Sequence, residues 1–162
     1  MSHSNNYNLS ASILAANFSK LSEDIKNLKH YGCSEIHYDV MDGNFVDEVS
    51  MGPVILDSIN DLIELPVEVH LMVSDPEKNI EQFSKLNVEI ITFHYESTDN
   101  HNSLINLIKS KGLKVGIALN PLTDVENIYD FIDMIDRVLV MSVDPGFSGQ
   151  KFNPSTPKKI KI

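Results

Sequence analysis

The sequence predicts a parallel α/β fold, and among such folds a (β/α)8 TIM barrel rather than a doubly wound open sheet. Three observations carry this expectation. Six apolar, β-branched segments alternate with stretches of helical periodicity, at intervals of roughly 20 to 32 residues. Such alternation joins parallel strands through helical crossovers, and strands this apolar need cover on both faces. The unusual residues of the segments, Ser12, His37, Asp39, His70, Met72, His94 and Met141, come from five different strands. An open sheet gathers its site at one switch point, whereas a barrel aims every strand at one centre. A complete barrel takes about 200 residues or more. The chain has 162, so the expectation is a barrel truncated after about six βα units.

The elements follow in order. Residues 1–8 are polar and read as a flexible leader, and 9–162 as a single partial barrel domain. Leu9 to Leu14 reads as the first strand. Asn17 is placed to cap a helix carrying Phe18, Leu21, Ile25 and Leu28, which Gly32 closes. Ile36 to Met41 is the second strand, ended by Gly43-Asn44. Phe45 to Met51 is a loop long for a βα connection, the kind of place where working residues gather. Pro53 opens a second helix with Val54, Ile55, Ile59 and Leu62 as its apolar stripe. Val67 to Val73 is the third strand. Asp75-Pro76-Glu77 starts the third helix, whose stripe is Ile80, Phe83 and Leu86. Ile90 to His94 is the fourth strand, Leu104 to Ile108 lies in the fourth helix, and Val115 to Leu119 is the fifth strand. Thr123 and Glu126 have capping-box spacing before a fifth helix lined by Ile128, Phe131, Ile132 and Ile135. Val138 to Val143 is the sixth strand, followed by the glycine-bearing loop Asp144 to Gln150. Ser155-Thr156-Pro157 starts a sixth helix.

The second and third strands carry the chemistry. Residues two apart in a strand share a face, so His37, Asp39 and Met41 point one way and Tyr38 and Val40 the other. His70 and Met72 repeat the pattern on the third strand. An imidazole and a carboxylate inside an apolar strand are costly without a partner. A divalent metal ion is the simplest partner for His37, Asp39 and His70 together, because it accepts neutral imidazole and carboxylate oxygen alike. As single residues, His70 reads equally well as a satisfied core histidine and Asp39 as a buried structural acid; three such groups on two buried strands favour the metal.

Composition narrows the classes. With 42% hydrophobic residues the chain can bury a real core, and a formal net charge of −10 disfavours a nucleic-acid partner. The single Cys33 excludes an internal disulfide framework, fits a reducing compartment, and reads as a buried structural thiol. No run of about 18 apolar residues marks a membrane span, and residues 1–8 lack the apolar stretch of a signal peptide. A cytoplasmic protein acting on a small molecule, with no nucleic-acid or membrane partner and a homo-oligomer left open, is the expectation.

Several stretches together resemble the ribulose-phosphate 3-epimerase family. They are Ser12-Ile13-Leu14, His37-Tyr38-Asp39-Val40-Met41-Asp42-Gly43, Val69-His70-Leu71-Met72-Val73, Asn120-Pro121, and Met141-Ser142-Val143-Asp144-Pro145-Gly146-Phe147-Ser148-Gly149-Gln150. The resemblance runs from about Leu9 to the end. It implies a TIM barrel of the ribulose-phosphate-binding type and reversible C3 epimerisation of D-ribulose 5-phosphate to D-xylulose 5-phosphate, a pentose-phosphate-pathway reaction. In that chemistry a proton leaves C3 on one face, and the enediolate is reprotonated on the other. The resemblance implies Asp39 as one acid/base group and as a metal ligand with His37 and His70. One divalent ion (zinc, iron, manganese or cobalt) would hold the C2 and C3 oxygens. Met41, Met72 and Met141 would form an apolar wall, although as plain core fillers they would look the same from sequence. Ser12 and His70 would contact the substrate, and Gly146, Phe147, Ser148 and Gly149 would approach its phosphate. His94 reads equally as support for the metal shell or as core.

Departures from the family pattern are Ala15-Ala16-Asn17 where Ser-Ala-Asp is usual, and Asp47 where a proline is usual. The family's second acid/base aspartate, also its fourth metal ligand, lies on a seventh strand, and most of its phosphate site follows strands seven and eight. The sixth strand is the last seen here. Alternatives are therefore a catalytically incomplete fragment, at most metal-binding, and an allulose-phosphate epimerase sharing these motifs. A sugar-phosphate aldolase or decarboxylase is disfavoured, since no strand carries the lysine that such chemistry uses.

Overall fold

The computed structural model describes residues 7–160; the first six positions of the expected leader lie outside them. Six strands form one parallel sheet in sequence order: β1 (Ser10–Ser12), β2 (Glu35–Met41), β3 (Val67–Met72), β4 (Ile90–His94), β5 (Lys114–Leu119) and β6 (Arg137–Val140). Helices α1 (Leu21–Leu28), α2 (Pro53–Ile59), α3 (Pro76–Phe83) and α4 (His101–Ser110) connect successive strands, and α5 (Thr156–Ile160) follows β6. The sheet curls. Arg137 on β6 reaches across the concave side to form two hydrogen bonds with the Glu35 carboxylate on β2, at 2.7 and 2.8 Å. This is the expected barrel architecture over six of its units.

The strands are buried on both faces, as parallel sheets require. On the convex face Tyr38, Val69, Leu71, Ile91, Phe93 and Ile117 pack against Leu56, Ile80, Phe83, Ile105 and Ile108 in one continuous core. Phe83 is fully buried and meets Tyr38 edge to face, with centroids 6.0 Å apart. On the concave face Met41, Met72 and Val46 form a smaller apolar cluster against Leu14 and Phe45. The register sets Asp39 beside His70, His70 beside Thr92, Thr92 beside Gly116, and Gly116 beside Arg137. Gly116 is required there: a Cβ at that position would stand 2.1 Å from Thr92 Oγ1. The missing side chain gives Thr92 its space in the interior.

Local structure departs from the sequence expectation at five places. The first strand ends at Ser12, because the Ser12 hydroxyl accepts from Leu14 N–H and turns the chain into a 3-10 helix at Ile13–Ala15. Asn17 does cap, but it caps a 3-10 turn (Phe18–Lys20) that leaves Phe18 exposed ahead of α1. In α2 the buried positions are Leu56 and Ile59; Val54 and Ile55 face outward. The segment Val125–Met134 is 3-10 rather than α, and its expected cap, Thr123, donates instead to Glu96. The sixth strand stops at Val140, although Met141 N–H still bonds Leu119 O at 3.0 Å. Asp75 caps α3 as expected, accepting from Lys78 N–H. Cys33 is half-buried rather than buried.

Candidate active site

The carboxyl ends of β1, β2 and β3 and the loop after β6 enclose a cavity of about 220 Å³. Its lining includes Ser12, His37, Asp39, Met41, His70, Met72 and Met141, with Gly146, Phe147 and Ser148 from the loop. Ten of the expected site residues thus converge. Gly149 is not in the lining and is exposed.

Period-two alternation along β2 turns His37 and Asp39 inward, and the Asp39-to-His70 register brings the third group alongside. Asp39 Oδ1 lies 3.1 Å from His37 Nε2 and 3.1 Å from His70 Nδ1, and the two nitrogens are 3.2 Å apart. Metal bonds of about 2.0–2.1 Å separate neighbouring ligand atoms by about 2.9 Å at a right angle and about 3.4 Å in a tetrahedron. The triangle falls between those values. Two imidazoles and one carboxylate, each offering one atom to a common point, fit a divalent transition ion.

Electrostatics show what the triangle does without the ion. Burial works against a charged His37, but hydrogen bonds and charge from Asp39 and Glu68 outweigh it and raise its pKa to about 10. Burial likewise works against the Asp39 carboxylate, yet His37 and His70 hold it well below the usual carboxylate range. His70 is pushed the other way, to about 4, chiefly by burial. A proton on His37 Nε2, shared toward Asp39 Oδ1 and His70 Nδ1, therefore holds the three atoms together. A dication would take the place of that proton.

Each corner of the triangle is fixed from behind. Ser12 Oγ donates to Asp39 Oδ2 at 2.5 Å. Ser50 Oγ donates to Asp39 O at 2.6 Å and accepts from Met41 N–H, which ties the long loop after β2 to the strand end. His37 Nδ1 lies 2.8 Å from Glu68 Oε2. His70 Nε2 lies 2.8 Å from His94 Nε2, and His94 Nδ1 is 3.3 Å from Glu96. His94 is fully buried with Phe45 against its ring at 4.9 Å. Of the two readings of His94, the structure places it beside the triangle.

Glu68, Glu96 and Ser50 are participants that the sequence reading passed over. Glu68 had a usable signal, since it stands two residues before His70 and so shares its face. Glu96 sits on a single 3-10 turn (Tyr95–Ser97) and Ser50 in a loop, both too short for periodicity to say anything. Asp42 is structural: it accepts from Asn44 and Phe45 N–H and from both Ser74 donors, pinning the turn at Gly43. Gly146, at φ 127°, packs against Val46 and brings the last loop over the second. Gln150 Nε2 donates to Asp144 O and Phe147 O and holds that loop closed on itself.

Known proteins resemble this chain over almost its whole length. The ribulose-phosphate 3 epimerase family model matches residues 8–162. The ribulose-phosphate 3-epimerase of Buchnera aphidicola subsp. Baizongia pistaciae is 48% identical over 157 residues, 95% of this chain and 69% of that protein. The chloroplastic ribulose-5-phosphate-3-epimerase of Arabidopsis thaliana is 46% identical over 154 residues, 94% of this chain. The chain spans 55% of the plant protein's length. Among solved structures, a phospho-2-dehydro-3-deoxyheptonate aldolase from Thermotoga maritima superposes with a TM-score of 0.64 at 12% identity, covering 97% of this chain and 48% of that one; it shares the fold alone. Among the described residues no helix is long and apolar enough to cross a membrane. On the strength of the family match and of relatives at this identity, the chain belongs to the ribulose-phosphate 3-epimerase family of isomerases.

Proposed function

We propose that this site abstracts and returns the C3 proton of D-ribulose 5-phosphate, interconverting it with D-xylulose 5-phosphate, and that Asp39 is the base. The observation that carries this reading is the division of labour between the two Asp39 oxygens. Oδ1 belongs to the triangle with His37 and His70, while Oδ2, in a residue that lines the cavity, is held among the described residues by Ser12 alone. A proton arriving from C3 has Oδ2 to go to, and Ser12 keeps that oxygen aimed.

His37, Asp39 and His70 would hold a divalent ion, which when bound supplies positive charge for the C2 and C3 oxygens as the enediolate forms. Zinc, iron, manganese and cobalt all suit the donor set. Met41 and Met72, paired in register, and Met141 line the cavity and would keep water from the enediolate. Gly146 to Ser148 present backbone to the cavity mouth, where the substrate phosphate would rest, with Gly149 beyond it. Inversion at C3 also needs an acid on the far face of the enediolate. By the family resemblance that group belongs to the strand after β6.

The convergence of His37, Asp39, His70 and the three methionines on one cavity supports the epimerase reading over a metal-binding fragment. The test is to incubate the chain with D-ribulose 5-phosphate and a divalent metal in D2O. Xylulose 5-phosphate is followed by a coupled assay and C3 deuterium by NMR. Product formation or C3 exchange supports the reading; a folded, metal-loaded chain giving neither refutes it. Allulose 6-phosphate turned over faster than ribulose 5-phosphate would reassign the sugar.

A further inference from the structure

We infer that Glu68 is a positioning residue for His37, and that Thr92 and Arg137 hold it to that task. The inference rests on the metal-site reading above and deepens it. Glu68 is 2% exposed, a carboxylate inside an otherwise apolar strand. A buried carboxylate persists only where its oxygens are satisfied. Here every partner is identifiable. Oε1 accepts from Thr92 Oγ1 at 2.5 Å. Oε2 takes Arg137 Nη1 at 2.8 Å and His37 Nδ1 at 2.8 Å.

These contacts restrict Glu68 to one function. Thr92 occupies one oxygen from the neighbouring strand, in the space that Gly116 leaves open. Arg137 occupies part of the other, and is itself immobilised by its two bonds to Glu35. Glu68 cannot swing up to compete as a ligand, and its remaining acceptor direction points at His37 Nδ1. Being acceptor-only, it requires a proton on Nδ1. With Nδ1 kept protonated, Nε2 is the nitrogen that would offer its lone pair once a metal displaces its proton, and Nε2 is the atom that stands 3.1 Å from Asp39 and 3.2 Å from His70. The ring is thereby fixed in both tautomer and angle. The device spans the ring: a residue on β6 controls the angle of an imidazole on β2 through a carboxylate on β3.

The test compares the parent chain with Glu68→Gln, Glu68→Leu and Arg137→Met, using zinc alone as the probe. Zinc affinity is measured by competition with a chromophoric chelator, and folding by circular dichroism. Long-range 1H–15N spectra of 15N-histidine-labelled protein read the His37 ring. The parent is expected to show a His37 Nδ1–H protected from solvent exchange, with and without zinc. Glu68→Gln is expected to lose zinc affinity 10- to 100-fold. Arg137→Met should speed exchange of the Nδ1–H by tenfold or more. Glu68→Leu should abolish its protection. If Glu68→Leu fails to fold, the parent spectra and Glu68→Gln still decide. Zinc affinity within twofold of the parent in Glu68→Gln, or a parent His37 without Nδ1–H, overturns the inference. A parent that holds His37 Nδ1–H but binds no zinc leaves the Glu68 contact standing and refutes the metal-site reading instead.

Discussion

His70 Nε2 faces His94 Nε2 across 2.8 Å, so the two rings share one proton. The Nδ1 of His70 belongs to the triangle and must present a lone pair when a metal binds, which puts the proton on its Nε2. His94 then accepts at Nε2 and donates its own Nδ1–H to Glu96. The rings stack at 4.9 Å, and the order of donors runs one way from the site toward the loop after β4. Replacing His94 with Phe keeps the bulk but leaves His70 Nε2–H unpaired in the interior. The expected cost is about 1–3 kcal/mol of stability and about tenfold in metal affinity. Chemical denaturation and zinc competition on the same protein check both.

Asp39→Asn keeps the shape of the triangle and removes the base. Loss of a positioned base typically costs 10²–10⁴ in rate, so C3 exchange should fall by about that factor. Zinc content is measured alongside, because the carboxylate is also a ligand. Exchange at the parent rate in the variant would remove Asp39 from the mechanism.

Metal binding should release a proton. His37, raised to about 10, is charged at pH 7 in the metal-free protein, and its Nε2 proton occupies the place that a dication would take. Titrating zinc calorimetrically in two buffers of different ionisation enthalpy at pH 7 is expected to show about one proton released per site. The release should shrink to nothing as the pH rises past about 10.

The metal-free protein should be most stable near pH 6.5. His70 is lowered from 6.5 to about 4, chiefly by burial, so its contribution is complete above 6.5 and lost as pH falls toward 4. Glu68 and Glu96 are each lowered from 4.5 to about 2 in the fold, so their contribution is complete above 4.5 and lost as pH falls toward 2. For both, burial opposes the lowering. Hydrogen bonds outweigh it, from His37 at Glu68 and from His94, Thr123 and Asn120 at Glu96. His37 is raised above its unfolded value of 6.5, so its contribution is complete below 6.5 and lost as pH rises through about 10. Urea midpoints measured in a chelating buffer from pH 2 to 10 should trace this dome, and excess zinc should flatten its alkaline side.

Gly116→Ala tests the packing behind the site. A Cβ there meets Thr92 Oγ1 and Cβ at 2.1 and 2.9 Å, far inside contact distance. Overpacking of this kind costs about 1–3 kcal/mol, and Thr92 can yield only by leaving Glu68. A fall in melting temperature together with weaker zinc binding is expected; an unchanged protein would show that Thr92 has room elsewhere.

The alternation of apolar segments with helical periodicity made the parallel sheet legible, and period two within β2 and β3 made the inward set His37, Asp39, His70 and Met72 legible. What periodicity could not reach was anything decided by tertiary contact. The 3-10 geometry of 125–134 is one case: a good helical stripe and a capping pair were present, but Thr123 found Glu96 across the loop. α2 is another, since Val54 and Ile55 looked as apolar as Leu56 and only packing selected which side turned in. Arg137 carried no signal at all. A lone arginine at a strand start reads as a solvated end, and its partners Glu35 and Glu68 lie far away in the chain.

That separation has a temporal consequence. The Arg137–Glu35 pair joins residues 102 positions apart, so it closes a long loop and can form only after β6 exists. A nascent chain emerging from the ribosome would assemble β2 and β3 with both histidines in place, yet still lack the guanidinium that steadies His37. Competence to capture metal would therefore arrive with the sixth strand rather than with the ligands themselves.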